Sequence, residues 1–573
     1  MQLSPENQRW LEAFRARHGR APRILHIGNI ANNAYNNAKI LNEVGLDCDV
    51  ICYDYYHIMG CPEWEDADFT GQIKDDFRPD WTKVDLGGYV RPRWFAQGPL
   101  GLCTRYLIAR RTGNDDHHRI WQELLVANQC ESPKGIYRFI PRRLTVRWTA
   151  RTIKQILLGP APEVVRKITQ FIGGRPIGNA SLAISGLVLL LVFVVRVIAW
   201  PAVAGYRWRN RYKNETGFGI NAKAAEERQA VLGIIDSYAR EFKDRQDRLL
   251  PTDIQPYLCR RRQWRRLLAC YDYAIGYSTD PILPLVAGMP YFAFEHGTIR
   301  EIPYHATAQG RLTALAYRLA QHVFVTNFDC VESAEKLAPG RFTIINHPYD
   351  EDHGLKVIGW EQTRKSILSE LDSDFLFFHP TRHDWVEGSG YADKSNDVFL
   401  RAFVSLRNEG ARVGLVCCSW GANVAESKAL LAEHGCSSHV RWIAPLAITP
   451  FERMCLAADL VVDQFKLGAF GGVVFKAMAV GKPILTYLDE KRLLKQYPVC
   501  PPVVNCRTEE EIISGLQPLL LSPNKLKHMG EASRAWMKKF HAKEGTVNAQ
   551  VAQIRLFAPI PEASGVSQQL KSV

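Results

Sequence analysis

The stretch Ala458–Thr486, ADLVVDQFKLGAFGGVVFKAMAVGKPILT, reads as a strand, a glycine-rich turn, a helix and a second strand. Val461 and Val462 form an apolar pair closing on Asp463. Gly468, Gly471 and Gly472 then let the backbone turn tightly and approach a ligand closely. The helix expected from Val473 points its free N–H groups and positive dipole end at whatever the turn holds. A diphosphate is the usual guest of such a site. A plain strand–loop–helix unit of an α/β domain reads the same way, because a glycine-rich loop is weak by itself.

Outward from this stretch, the same alternation runs from Phe375 to about Leu520. Strands are predicted at Phe375–Phe378, Val413–Cys417, Val440–Ile443, Leu460–Val462 and Ile484–Thr486. Helices are predicted at Lys394–Arg407, Asn423–Glu433, Pro450–Ala457 and Val473–Val480. An earlier series opens with Ile24–Ile27, a Gly28-Asn29 turn, a helix at Tyr35–Val44 and a strand at Cys48–Cys52. It resumes with strands at Tyr271–Tyr277, Tyr291–Phe294, His322–Thr326 and Phe342–Ile345. Two doubly wound domains in tandem leave a cleft facing the carboxyl ends of both sheets, where ligands bind. The expected boundaries are 20–350 for the first domain, with an insertion at about 88–215, then 351–540 for the second. A C-terminal helix and tail at 541–573 return to the first domain.

The insertion differs from its surroundings. Arg142, Arg143, Arg147, Arg151, Lys154, Arg166 and Lys167 are interspersed with Leu144, Val146, Trp148 and Ile153, the pattern of a basic helix lying in a membrane interface. Ala180–Val195, ASLAISGLVLLLVFVV, follows without a charge and continues past Arg196 toward Tyr206, near the ~20 apolar residues of a spanning helix. Both flanks are basic, which favours both ends staying on the cytoplasmic side. A single crossing would also divide one sheet between two sides of the bilayer. A re-entrant or monotopic insertion is therefore expected, with a buried core helix as the alternative.

In the 573 residues, hydrophobic content of 46% and charged content of 23% are ordinary for a globular protein, whereas a net charge of +13 is not. Much of that excess sits between Pro141 and Lys213 and reads as a local device for an anionic surface, membrane before nucleic acid. Fourteen cysteines lack CxxC spacing, so neither zinc nor a disulfide framework is indicated, and a reducing cytosol fits. The polar N-terminal segment does not read as a signal peptide. No metal is expected: the Asp66-Ala67-Asp68 spacing follows Glu63 and Glu65 and reads as a solvated acidic surface stretch.

Four segments resemble the GT-B glycosyltransferases, and specifically the retaining nucleotide-sugar family 4. They are IGNIANNAYNNAKIL, FEHGTIREIP (Phe294–Pro303), FHPTRHDW with Lys394 downstream, and the Asp463–Lys482 loop and helix. The resemblance implies an α/β GT-B fold and transfer of a sugar from a nucleotide-diphosphate donor to a lipid-linked or surface-polysaccharide acceptor. It implies no cofactor and no nucleic-acid partner. The expected catalytic residues are His296, Arg382 and Lys394; Gly28, Asn29, Glu295, Arg382, Lys394, Asp463, Gly471, Gly472 and Lys476 are expected to bind substrate. Independently of the family, an Arg and a Lys converging after a strand end suit a diphosphate through bidentate hydrogen bonds and a point charge. Where the family carries two glutamates, this chain has Gly468 and Lys476, and Lys476 cannot accept hydrogen bonds from ribose. The expected location is the cytoplasmic face of a bacterial inner membrane. The alternatives are a non-catalytic membrane-bound relative and a basic nucleic-acid-binding protein.

Overall fold

The computed structural model describes residues 1–69, 71, 73–129, 218–386 and 393–559. Met1–Gln129 and Ile234–Val573 form one compact unit. The other, Cys130–Gly233, is described only at 218–233, within the helix Phe218–Glu241. The basic stretch from Arg142 and the apolar run Ala180–Val195 lie outside the described residues, and among those that are described no helix is long and apolar enough to cross a membrane.

The larger unit carries two parallel sheets. The first contains β1 (Arg23–Ile27), β2 (Asp47–Tyr53), β3 (Phe95–Gly98), β4 (Tyr273–Tyr277), β5 (Phe292–Phe294), β6 (Val323–Val325) and β7 (Phe342–Ile344), in the order β3-β2-β1-β4-β5-β6-β7. The second contains β8 (Phe375–His379), β9 (Val413–Cys418), β10 (Val440–Ile443), β11 (Leu460–Val462), β12 (Ile484–Thr486) and β13 (Val504–Asn505), in the order β10-β9-β8-β11-β12-β13. Each is the doubly wound arrangement, whose crevice opens where the strand order reverses. That point lies between β1 and β4, paired with Ile24 beside Tyr273, and between β8 and β11, paired with Leu460 beside Phe377.

The strands read as near-continuous apolar runs because both faces of each sheet are covered by helices. Alternate residues feed opposite cores. Leu25 and Ile27 enter the cluster with Trp264 and Tyr317, while Ile24 enters the one with Phe292 and Phe324. In the second sheet Phe375 and Phe377 pack with Phe399 and Phe403, and Leu376 and Phe378 pack with Phe475 and Trp536. The predicted strands are all present, with ends moved by a residue or two. Two strands were not anticipated. Edge strand β3 lies inside the stretch 88–215 read as insertion, so the first sheet and the helix Leu100–Arg111 behind it claim part of that stretch. The two-residue β13 is too short to announce itself by pattern.

The chain leaves the second lobe through the helix Pro523–His541 and enters the first through Lys543–Ile554. The helical course is not continuous. Ala542, at φ −57° and ψ 139°, is extended and breaks it. Beyond the break Val547, Val551 and Ile554 are fully buried in the first-lobe core, and Gln550 donates to Asn37 Oδ1 at 2.6 Å. The lobes also meet at the carboxyl ends of their sheets. Phe328, after β6, packs edge-on against Phe470, after β11, with ring centroids 5.7 Å apart.

Candidate functional site

The second lobe builds the more strongly charged crevice. β8 ends at His379, whose buried ring spans to the neighbouring strand: Nδ1 lies 3.2 Å from the Val462 carbonyl and Nε2 2.9 Å from Asn396 Nδ2. These partners require Nδ1–H to donate and Nε2 to accept. His383 is equally internal, with Nδ1 at 2.9 Å from Ser427 Oγ. Between them the chain turns Thr381 and Arg382 toward the crevice. The Thr381 hydroxyl donates to Asp463 Oδ1 at 2.8 Å, which ties the end of β8 to the end of β11. Arg382 remains 41% exposed, 3.3 Å from Asp384 Oδ2 and with its guanidinium over Trp420. Asp384 is itself fixed by the Ala422 N–H at 2.7 Å.

Lys394 enters from the following loop and is anchored by its backbone, its N–H donating to the Asp384 carbonyl and its carbonyl accepting from Phe465 N–H. Its ammonium donates to the buried amide oxygen of Gln464 at 2.7 Å. Burial pushes the Lys394 pKa down, Asp463 opposes that, and the nearby guanidinium groups of Arg382 and Arg300 push it down further. Lys394 thus senses a cation from each lobe, Arg382 of the second and Arg300 of the first. Such a field favours a polyanion. Asp463 is buried, its pKa raised by that burial against the pull of Lys394, the Thr381 hydroxyl and the Gly471 N–H.

The helix Gly472–Ala479 begins beside this group. A Cβ on Gly471 would collide with the Asp463 carboxylate, so the turn needs a bare backbone there, whereas Gly472 is exposed and a Cβ on it would meet nothing. Lys476 lies at the far end of this helix, its ammonium 5.6 Å from the Phe451 ring, away from the glycine turn. Gly468 adopts φ +68°, with the Tyr487 ring and Asp489 where a Cβ would sit. A glutamate at that position would clash, so the loop here is shaped for glycine.

In the first lobe the residues expected to bind substrate divide sharply. Glu295 is fully buried and turned inward, its carboxylate accepting from Gly297 N–H and from Asn327 Nδ2 at 3.2 Å, with Cys330 Sγ at 3.3 Å. It braces the loop after β5 and does not face the cleft. Asn29 is also consumed internally. Its Nδ2 donates to Asn32 Oδ1 and the Gly60 carbonyl, each at 2.9 Å, and its Oδ1 accepts from Tyr35 N–H at 2.9 Å. His296 is half-buried. Its Nδ1 lies 2.5 Å from Asn33 Nδ2 and therefore accepts, which places the proton on Nε2. Burial and Arg300 hold its pKa down to about 4, so the ring is neutral and offers an N–H donor. Gly28, at φ +88°, lies under the carboxylate of Asp280, which leaves no room for a Cβ.

Sequence reasoning passed over Arg300, although it stands inside the segment FEHGTIREIP. It chelates Asp329, with Nη2–Oδ1 at 3.0 Å, and its guanidinium lies over Gly297 in the loop after β5. Thr381, Asp384 and Gln464 were also missed, since each acts by holding a charged neighbour. The acidic stretch at 63–68 is not a solvated surface. Glu63 is buried and pairs with Arg91 at 2.8 Å, Asp66 takes Lys39 at 2.7 Å and the Tyr35 hydroxyl at 2.6 Å, and Asp68 reaches Arg453 of the second lobe at 3.1 Å. Among the described residues no cluster of His, Cys, Asp and Glu is placed to hold a metal.

No sequence-family model matches the chain, and no curated protein matches it. Solved structures do. HepE of Anabaena, in complex with UDP and glucose, is 15% identical over 52% of this chain and 82% of its own, with a TM-score of 0.44. A glycosyltransferase from Rickettsia africae is 12% identical over 51% of this chain and 80% of its own, at 0.39. WaaG, a glycosyltransferase involved in lipopolysaccharide biosynthesis, is 17% identical over 49% of this chain and 77% of its own, at 0.35. The fold is α/β, with two Rossmann-like parallel sheets.

Proposed function

We propose that the protein is a glycosyltransferase. It moves a sugar from a nucleoside-diphosphate donor, seated at the β8/β11 crevice, to an acceptor presented by the first lobe. The observation that carries this reading is the placing of Arg382 and Lys394 at the joined ends of β8 and β11, with Thr381 tied to Asp463, Lys394 on Gln464, and Asp463 against Gly471 at the start of the helix Gly472–Ala479. Cations held in advance at a partly buried crevice stabilise the charge that develops on a departing diphosphate. The neutral His296 would donate its Nε2–H to a sugar or acceptor oxygen at the mouth of the same cleft. Basic groups of this sort take the electrostatic role that a divalent ion has elsewhere.

Finer parts of the proposal rest on the family resemblance and the sequence: retention of anomeric configuration, a lipid-linked or surface-polysaccharide acceptor, and residence at the cytoplasmic face of a bacterial inner membrane. Residues Arg142 to Lys213 would hold the protein at an anionic bilayer. One observation favours a second reading, a non-catalytic relative. Gly468 and Lys476 replace the family's glutamates, and the loop at Gly468 has been rebuilt around glycine. Nucleoside-diphosphate release from a panel of UDP- and GDP-sugars separates the two. Turnover by the full chain, abolished in Arg382→Ala and Lys394→Ala, sustains the enzyme. Nucleotide binding without turnover for every donor supports the non-catalytic relative.

A further inference from the structure

The segment that follows β11 is clipped to the loop that delivers Lys394. Phe465 N–H donates to the Lys394 carbonyl at 2.9 Å, Lys466 Nζ lies 3.5 Å from Asp393 Oδ2, and the Lys394 ammonium donates to Gln464 Oε1 at 2.7 Å. Gln464 is the buried member of this clip, 1% exposed. Its side-chain amide has one workable orientation. The ammonium can only donate and the Ala469 carbonyl can only accept, so Oε1 faces Lys394 and Nε2 donates to Ala469 at 2.9 Å. The Gln464 carbonyl is fixed as well, accepting from Tyr487 N–H at 2.9 Å and from the Thr486 hydroxyl at 3.0 Å, at the end of β12. Its backbone is thus pinned to one strand end, while its side chain spans from the lysine to the loop that carries Gly468 and Gly471. A carboxylate in its place would bind the ammonium more tightly but would also cancel its charge. The neutral amide takes one N–H of the ammonium, and the other two have no partner among the described residues.

We propose that Gln464 is a positioning residue of the donor site: it holds the Lys394 ammonium, charge intact, toward the donor diphosphate and couples that lysine to the glycine turn. The inference rests on the transferase reading above. On donor binding the two remaining N–H bonds meet diphosphate oxygens while the third stays on Gln464. The ammonium form needs this support. Burial pushes the Lys394 pKa down, Asp463 opposes that, the guanidinium groups of Arg382 and Arg300 push it down further, and Asp384 opposes them. A hydrogen-bond acceptor favours the charged form of the group that donates to it. Gln464 does this without adding an anion where the diphosphate is to sit.

The test compares the full chain with Gln464→Met and Gln464→Glu, using UDP and GDP as probes of affinity across pH and the sugar nucleotide that the panel selects for turnover. Both variants match glutamine in length and both lose the bond to Ala469, so the contrast between them reads the lysine alone. Gln464→Met removes the acceptor. Nucleotide affinity should fall about tenfold, and the high-pH loss of affinity, where Lys394 gives up its proton, should move to lower pH. Gln464→Glu keeps an acceptor and adds a charge. Affinity at neutral pH should fall here too, but the high-pH loss should move to higher pH. This upward shift requires contact with the ammonium, so Gln464→Glu carries the test by itself if the methionine variant does not fold. A merely structural glutamine would lower the melting temperature of both variants and leave the pH of that loss in place, which overturns the proposal. In a double-mutant cycle Gln464→Met should add little to the kcat/KM loss of Lys394→Met, and fully additive losses likewise overturn it. Lys394→Met with undiminished affinity for the nucleotide sinks the donor site itself, whatever the Gln464 variants do.

Discussion

The two lobes use one device with opposite loading. In each, the strand just past the reversal of order, β4 or β11, is followed by an aspartate whose carboxylate covers a glycine that cannot carry a Cβ: Asp280 over Gly28, Asp463 over Gly471. In each, a hydroxyl from the end of another strand steadies the carboxylate, Tyr53 of β2 in one and Thr381 after β8 in the other. The difference is the cation. Asp463 lies near Lys394, whereas Asp280 pairs with no cation among the described residues and burial pushes its pKa up to about 7. The same backbone frame therefore sets an aspartate beside a lysine in one lobe and beside a tyrosine hydroxyl alone in the other.

The largest test of that contrast removes the cations. Arg382→Ala and Lys394→Ala should each lower kcat/KM by ~10²–10³-fold, with nucleotide affinity falling too, because each supplies a charge-assisted contact to the developing anion. Equal losses from neutralising a first-lobe group without touching nucleotide affinity would show that the division of labour is real.

The second test exchanges bare backbone for a methyl group. Gly28→Ala should destabilise by ~3 kcal/mol, because overpacking against Asp280 adds to a left-handed φ of +88°. Gly471→Ala lacks the left-handed penalty and should cost ~2 kcal/mol. Gly472→Ala, with open space around it, should stay within ~0.5 kcal/mol of wild type. Urea denaturation of the three variants reads this directly, and equal costs would mean the carboxylates simply swing away.

Acid offers a third probe. His26 in the first lobe is held down to about 3, and His379 and His383 in the second to about 4 and about 3, chiefly by burial. A histidine whose folded pKa lies below its unfolded value of 6.5 keeps its full contribution above pH 6.5. It loses that contribution as pH falls toward the folded value, by ~1.4 kcal/mol per unit per group. Apparent melting temperature should therefore fall steeply below pH 6.5. A melting temperature flat to pH 5 would contradict the neutral, buried rings.

The smallest effect belongs to the seam. Asp68 and Arg453 join the lobes at 3.1 Å with Asp68 about half exposed, so Arg453→Ala should cost only ~0.5 kcal/mol. A larger loss would mean that this pair, and not the aromatic contact of Phe328 with Phe470, sets how the two crevices face each other.

Much of the fold was legible before any coordinates. The runs FLFFH, VGLVCC and LVV declare buried parallel strands because both faces of such a sheet are covered, and Gly45 and Gly481 punctuate them where helices end. β3 was missed because its four residues, FAQG, lie beside a long atypical segment and carry no period. Arg382, Lys394 and Gly471 drew attention in the sequence because they lie in the loops that follow the apolar runs of β8 and β11. Asn29 and Glu295 stand in equally promising places, yet both are consumed by internal hydrogen bonds, with Gly60 and Asn327 among their partners. The break at Ala542 has no local signal at all, neither glycine nor proline.

By itself the chain's pattern settled two doubly wound lobes and the loops at which a ligand would sit, because apolar runs and glycine turns act over a few residues and need no distant partner. The folded molecule alone decided which polar groups face that space. Arg300 is aimed by Asp329, Glu295 is drawn inward by Asn327 and Cys330, and Asp280 is set over Gly28 by a tyrosine more than two hundred residues away in sequence. A side chain's direction follows its hydrogen-bond partners, and those partners become neighbours only when the strands have paired.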